Sequence, residues 1–296
     1  MTGKGRQRGI ILIAVLWSIA LLSGLAMAAS TTFRSFAGIV TVHRDRLRAD
    51  ALFTAGLEVA AGIIGRLDAT PVVELETRLA MPGGGVQIRL GDEGGRIDIG
   101  KAPVEVLASL FRHLGARSPE VIAQQIAAWR TADKDQPRAA TSEEAQAPES
   151  EWPFSDVRQL SQVPGMSPEL FEAAAPLLTI FGNATVNPLT APVEVIAALP
   201  GVGRPQLRAF LETRLRFPTD AARVRATLGP AQQHLAEAPQ RVASVELRAT
   251  LDDGFSAAAK AVIVLLRDDS EPYRILAWNP LESGRGGSPR NAEAKR

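Results

Sequence analysis

The 296-residue chain contains no cysteine, which excludes disulfides, thiolate metal sites and cysteine nucleophiles. It has only one tyrosine and three histidines. His43, His113 and His234 lie far apart with no ligand-like spacing, so each reads as a surface or packing residue. No excess charge of one sign is present: the net charge is +1, which gives no general attraction to nucleic acid. Gly-x-Ser-x-Gly and His-Glu-x-x-His are both missing, so no hydrolase signature is offered. No enzyme activity is expected.

Charge is also missing locally. Between Ile10 and Phe33 there is no charged side chain, and the run follows the basic stretch Lys4-Gly5-Arg6-Gln7-Arg8-Gly9. At ~1.5 Å per residue, about 20 apolar residues cross a ~30 Å hydrocarbon layer. A membrane segment is expected at this end. Two fates compete. As a secretory signal peptide it would be cut near Ala26-Met27-Ala28, leaving a mature chain that starts at Ala29. As a type IV prepilin-like leader, residues 1–9, it would be cut after Gly9 and keep the apolar run as its anchor. A helical pattern that continues past Ala28 favours the second reading, since Phe33, Phe36, Val40, Leu47, Leu52, Val59, Ile63 and Leu67 recur at mostly helical spacings. One long helix over residues 10–67 is expected, with an apolar face seated on a sheet.

Strand patterns follow. Val72 to Leu79 alternates in part, Met81-Pro82-Gly83-Gly84-Gly85 turns, and Val86 to Leu90 alternates strictly. Gly91-Asp92-Glu93-Gly94-Gly95 turns again before Arg96-Ile97-Asp98-Ile99, so an antiparallel meander is expected over 68–100. Strands return over 240–279, with Asp252-Asp253-Gly254 as a hairpin between Val245–Leu251 and Phe255–Leu266 and a last strand at Tyr273–Trp278. The tail from 280 to 296, rich in Ser, Gly, Arg, Asn and Lys, is expected to be disordered.

Residues 101–239 read as helices, and they contain a repeat. Ala102-Pro103-Val104-Glu105-Val106 recurs as Ala191-Pro192-Val193-Glu194-Val195, an offset of 89 residues (102 to 191), each copy after a β-like lead. Leu160 to Leu170, with Val163-Pro164-Gly165, has a similar flavour. Leu199-Pro200-Gly201-Val202-Gly203-Arg204 resembles a helix-hairpin-helix, whose glycine turn, here Gly201 and Gly203, can face a DNA phosphate beside Arg204, Arg208, Arg214 and Arg216. The same hairpin is also a compact way to join two short helices. The fold class is α+β, with a large helical domain inserted between strands.

With that architecture the chain resembles the type II secretion system minor pseudopilin K family, also called general secretion pathway protein K. The matching residues are Arg8-Gly9-Ile10 with Val15-Leu16-Trp17, Glu93-Gly94-Gly95-Arg96-Ile97-Asp98-Ile99 leading to Ala102-Pro103, Val163-Pro164-Gly165-Met166, and Thr185-Val186-Asn187 through Thr190-Ala191-Pro192 to Leu199-Pro200-Gly201. The resemblance implies a pseudopilin fold and a place at the tip of a periplasmic pseudopilus, with minor pseudopilins I and J and the major pseudopilin fibre as partners. It further implies cleavage by prepilin peptidase between Gly9 and Ile10, N-methylation of Ile10 and single-pass residence in the inner membrane. Pilin-like subunits usually carry glutamate at the fifth mature position, where this chain has Ala14. Family members bind calcium through a Trp-containing acidic loop. Here that loop offers Asp133, Asp135, Glu143 and Glu144, while Ala128 and Thr131 stand where further acids are expected. Calcium ligands and ordinary solvated charges are both open readings of those four residues. The alternative function, from another class, is a membrane-tethered helix-hairpin-helix protein that binds DNA.

Overall fold

The structure is a computed structural model that describes residues 4–66, 74–135, 154–238, 241–266 and 271–285. A single helix, α1, runs Lys4–Arg66. Its face toward the protein is Asp45, Ala49, Leu52, Phe53, Gly56, Leu57, Ala60 and Ala61, spaced three and four apart so that they form one stripe. Leu47 is not in that stripe but 71% exposed, because a residue two positions from Asp45 and Ala49 points about 200° round the helix.

α1 packs on a five-stranded antiparallel sheet of β1 (Glu74–Met81), β2 (Gly84–Asp92), β5 (Val242–Leu251), β6 (Phe255–Leu265) and β7 (Tyr273–Arg285), in the order β1-β2-β5-β6-β7. The register places Ile88 opposite Leu247 and Leu247 opposite Ala259, so the alternating apolar residues of three strands share the face that α1 covers. Glu246, Arg248 and Thr250 face water. The hairpin between β5 and β6 forms where expected, with Gly254 at φ 84° and its N–H donating to the Leu251 carbonyl at 3.0 Å. At Gly56 the helix comes so close to the sheet that a Cβ there would stand 2.8 Å from Leu247 Cδ2.

Two elements differ from expectation. The last strand passes Trp278 and Pro280 and reaches Arg285, so it takes in the first residues of the segment expected to be a disordered tail. Proline is accommodated because β7 is an edge strand whose outer N–H groups need no partner, and the pairing is irregular between Ala257 and Ala259. The Ile97–Asp98 pair, β3, is not the third strand of the meander. It pairs in parallel with β4 (Leu178–Thr179) in a separate two-stranded sheet. Ile97 and Ile99 are buried in the other core of the molecule, and that burial decides the pairing.

Between β2 and β5 the chain makes that second body from α2 (Val104–His113), α3 (Pro119–Asp135), α4 (Pro168–Ala174), α5 (Val193–Ala197), α6 (Arg204–Arg216) and α7 (Ala221–Ala226), with β3 and β4. Phe111, Phe154, Leu160, Ile196 and Phe210 are among its buried residues. The two hydrophobic cores have no residue in common.

Candidate functional site at the junction of the two bodies

The first passage between the bodies is the turn after β2, Asp92-Glu93-Gly94-Gly95-Arg96, which read in the sequence as a plain hairpin turn. It is instead a buried polar hub. Asp92 caps the short 3-10 turn Glu93–Gly95 by accepting from the Gly94 N–H at 2.9 Å. Its other oxygen accepts from Asn187 Nδ2 at 2.8 Å and from the Thr190 hydroxyl. Burial raises the pKa of Asp92 above the usual carboxylate value, while these three donors and the nearby Glu93 act against and with that shift respectively. Glu93 accepts from the Thr179 hydroxyl at 2.5 Å and pairs with Arg96 at 2.9 Å. Asn187 N–H donates to the Gly94 carbonyl at 2.7 Å, and a Cβ on Gly95 would lie 2.9 Å from the Thr190 carbonyl oxygen. Only glycine permits this approach.

The repeat seen in the sequence is a repeat of structure. Asp98 Oδ1 accepts from the N–H groups of Gly100 and Lys101, and the Ala102 N–H donates to the Asp98 carbonyl at 2.9 Å. Asn187, at the same offset, accepts from the Leu189 N–H at 3.1 Å, and the Ala191 N–H donates to its carbonyl at 3.0 Å. Pro103 and Pro192 then start α2 and α5 with matching extended ψ values of 146° and 151°. Gly115 and Gly201, at φ 80° and 78°, turn the chain after those helices. The following helix closes each copy with an arginine: Arg130 Nη1 donates to the Ala102 carbonyl at 2.8 Å, and Arg214 Nη1 to the Ala191 carbonyl at 2.7 Å. Parallel pairing completes both, Ile97 with Leu178 and Val186 with Leu235.

The copies differ in charge. Asp98 is fully buried and its pKa is raised by that burial, whereas its counterpart is the neutral Asn187. Arg130, which also donates to the Ile99 carbonyl at 2.7 Å, has its pKa lowered by burial and partly restored by the charge of Asp98. Asp98 Oδ2 and Arg130 Nη2 have no hydrogen-bond partner among the described residues.

The residues singled out from the sequence do not converge. Gly9, Ile10 and Ala14 lie in α1, with side chains outside the described residues. Among the described residues no helix is long and apolar enough to cross a membrane. The apolar run from Ile10 has its side chains before Val15, at Ala26 and from Ala28 to Ile39 outside that description, so an anchor there rests on the sequence. Asp133 and Asp135 fall at the end of α3 with side chains not described, and Glu143 and Glu144 lie wholly outside the described residues. No group of three or more His, Asp or Glu among the described residues could hold a metal ion. Next to Trp129, the Arg130 guanidinium donates to the carbonyls of Ile99 and Ala102. Gly201 forms the expected hairpin and Gly203 precedes α6. Arg214, one of the four arginines expected to help at a DNA phosphate, donates to the Ala191 carbonyl. The sequence reading missed Asp92, Thr179, Asn187 and Thr190. The available sign was the run of polar and glycine residues closing a strictly alternating strand.

Comparison with known proteins points one way. Residues 89–183 match the model of a family described as type II secretion system (T2SS), protein K. A chain of the crystal structure of the GspK-GspI-GspJ complex from the enterotoxigenic Escherichia coli type 2 secretion system shares the fold, with TM-score 0.56 and 17% identity over 81% of this chain and 97% of that one. No curated protein matches the chain in sequence. The resemblance to the type II secretion minor pseudopilin K family therefore holds, and the α+β class is the one expected.

Proposed function

We propose that this chain is a minor pseudopilin of a type II secretion system, serving the export of folded proteins and capping the tip of the pseudopilus together with minor pseudopilins I and J. The observation that carries the reading is the family match over residues 89–183, which begins in β2, crosses the junction hub and ends just after β4. On this reading α1 and the five-stranded sheet are the pseudopilin fold, and the body between β2 and β5 is its inserted domain. The role is mechanical, with no catalysis. The uncharged run from Ile10 anchors the chain in the inner membrane, with the N-terminus cytoplasmic and the rest periplasmic. Prepilin peptidase cuts after Gly9 and Ile10 becomes the methylated N-terminus. Ala14 then stands at the fifth mature position. An unpaired carboxylate at that depth costs ~3 kcal/mol or more, so a subunit with nothing stacked above it is better off without one.

Mass spectrometry of the mature chain tests the leader and the anchor together. A methylated N-terminal Ile10 is the expected result, abolished in Gly9→Val; a chain starting at Ala29 overturns the reading. Quantitative labelling of assembled fibres tests the cap, which requires this subunit at one end and refutes it if the label runs along the shaft.

A further inference from the structure

Polar groups link the two bodies. The hydrophobic cores of the bodies share no residue, and the turn Glu93–Gly95, which joins one body to the other, packs against β5. Within that turn two adjacent carboxylates reach in different directions. Asp92 bonds to Asn187 and Thr190, which open the second copy of the repeated unit. Glu93 bonds to Thr179, in the strand that closes the first copy.

We infer that Asp92 and Glu93 form a two-armed latch that sets the orientation of the inserted body on the sheet, Asp92 holding the second copy and Glu93 the first. Both copies hang from one five-residue turn, so whatever fixes the turn fixes both. A buried apolar contact tolerates sliding, because hydrophobic attraction has no preferred direction. Hydrogen bonds to carboxylates are directional and are strengthened by their low-dielectric surroundings, so they hold one orientation and release it when a partner is lost. The close approach of Gly95 to Thr190 works in the same sense, since it allows the carboxylate and the threonine to meet without an intervening side chain. The Asn187 N–H to Gly94 carbonyl bond at 2.7 Å acts at the same seam. The inference concerns how the bodies are joined and does not depend on the secretion role.

The absence of cysteine makes the test direct, because two introduced cysteines are the only labelling sites in the full chain. Spin labels at the exposed Arg248→Cys on β5 and Leu215→Cys on α6, in the detergent-solubilised protein, report the distance between the bodies. A single narrow distance distribution is expected for the parent. Asp92→Ala and Glu93→Ala together should broaden it or add a second population, while helix content stays unchanged. Hydrogen exchange resolves the arms. Asp92→Ala should speed exchange of the Leu189 amide by roughly tenfold and leave Phe181 unaffected; Glu93→Ala should do the reverse, since Phe181 N–H donates to Thr179 Oγ1 at 3.1 Å. If the carboxylate variants fail to fold, Thr190→Val removes one donor and keeps both carboxylates, and faster exchange of Leu189 with Phe181 unchanged is expected. A distribution as narrow as the parent's in folded variants, or equal exchange at both amides in either single variant, overturns the latch.

Discussion

The helix-on-sheet body and the inserted body bury hydrophobic surface in different ways. In the first, α1 contributes Ala49, Leu52, Phe53, Ala60 and Ala61, and the strands contribute Val86, Ile88, Leu247, Ala249, Ala259 and Ala261. Small residues let a straight helix lie close along a pleated layer. In the second, short helices and turns close around Phe111, Phe154 and Phe210, and the core also holds Asp98, Thr179 and Asn187. Irregular backbone leaves N–H and C=O groups that no ladder satisfies, and buried polar side chains take them up. A regular layer can be held by pattern; an irregular one needs particular side chains.

The contrast can be broken most severely at Phe210, which is fully buried and lies under the Arg214 guanidinium at 5.4 Å. Phe210→Ala removes an aromatic side chain from a site whose neighbours come from several short elements, and a loss of about 3–5 kcal/mol is expected. Calorimetry should show the transition of the inserted body moving down while that of the sheet body holds. A single transition that shifts as a whole would mean that the two cores unfold as one unit.

A smaller effect is expected at the helix–sheet interface. Gly56→Val puts a branched side chain where a Cβ already lies 2.8 Å from Leu247 Cδ2 and 3.4 Å from Val86 Cγ2. Valine restores helix propensity by a few tenths of a kcal/mol, but overpacking costs about 1–3 kcal/mol, so overpacking decides the sign. Chemical denaturation should show a net loss confined to the sheet body. A gain in stability would mean that α1 can lift from the sheet without cost.

The same contrast explains what could be read from the sequence. Period-two alternation in Val86–Leu90 and Val245–Leu251 specifies which face is buried, and β2 and β5 lie where that pattern places them. Leu47 was misassigned because both candidate faces of α1 carry apolar residues in this region. The repeat at 102 and 191 was visible as letters, but its closing arginines were not, since Arg130 and Arg214 do not sit at a constant offset. The junction was hidden for a different reason. Asp92, Glu93 and the two glycines have the composition of any exposed turn, and only partners 86 to 98 residues away make them interior groups. Asn187 gave no local clue to its contact with Asp92.

The subtlest test separates the bodies by pH. His234 lies in the inserted body, 4% exposed, and its backbone carbonyl accepts from the Val186 N–H at 3.0 Å. Burial lowers its pKa from the ordinary 6.5, with Glu105 pulling in the opposite direction from 3.7 Å. The unfolded chain therefore takes up a proton near pH 6.5 that the folded chain accepts only at lower pH. His234 thus contributes stability that is present above the ordinary value and declines as pH falls through it toward the folded value. Asp92 and Asp98 act in the opposite sense, because burial raises both from 3.8: what they contribute is full below that value and declines as pH rises through their folded values. Melting of the inserted body should become easier as pH drops from about 7 toward 5, and His234→Gln should flatten that dependence. The sheet body contains no comparable buried histidine among its described residues, so its own transition should not show the same decline. A His234→Gln protein that retains the full pH dependence would show that His234 is not its source, and the junction carboxylates, which act in the opposite sense, could not supply it.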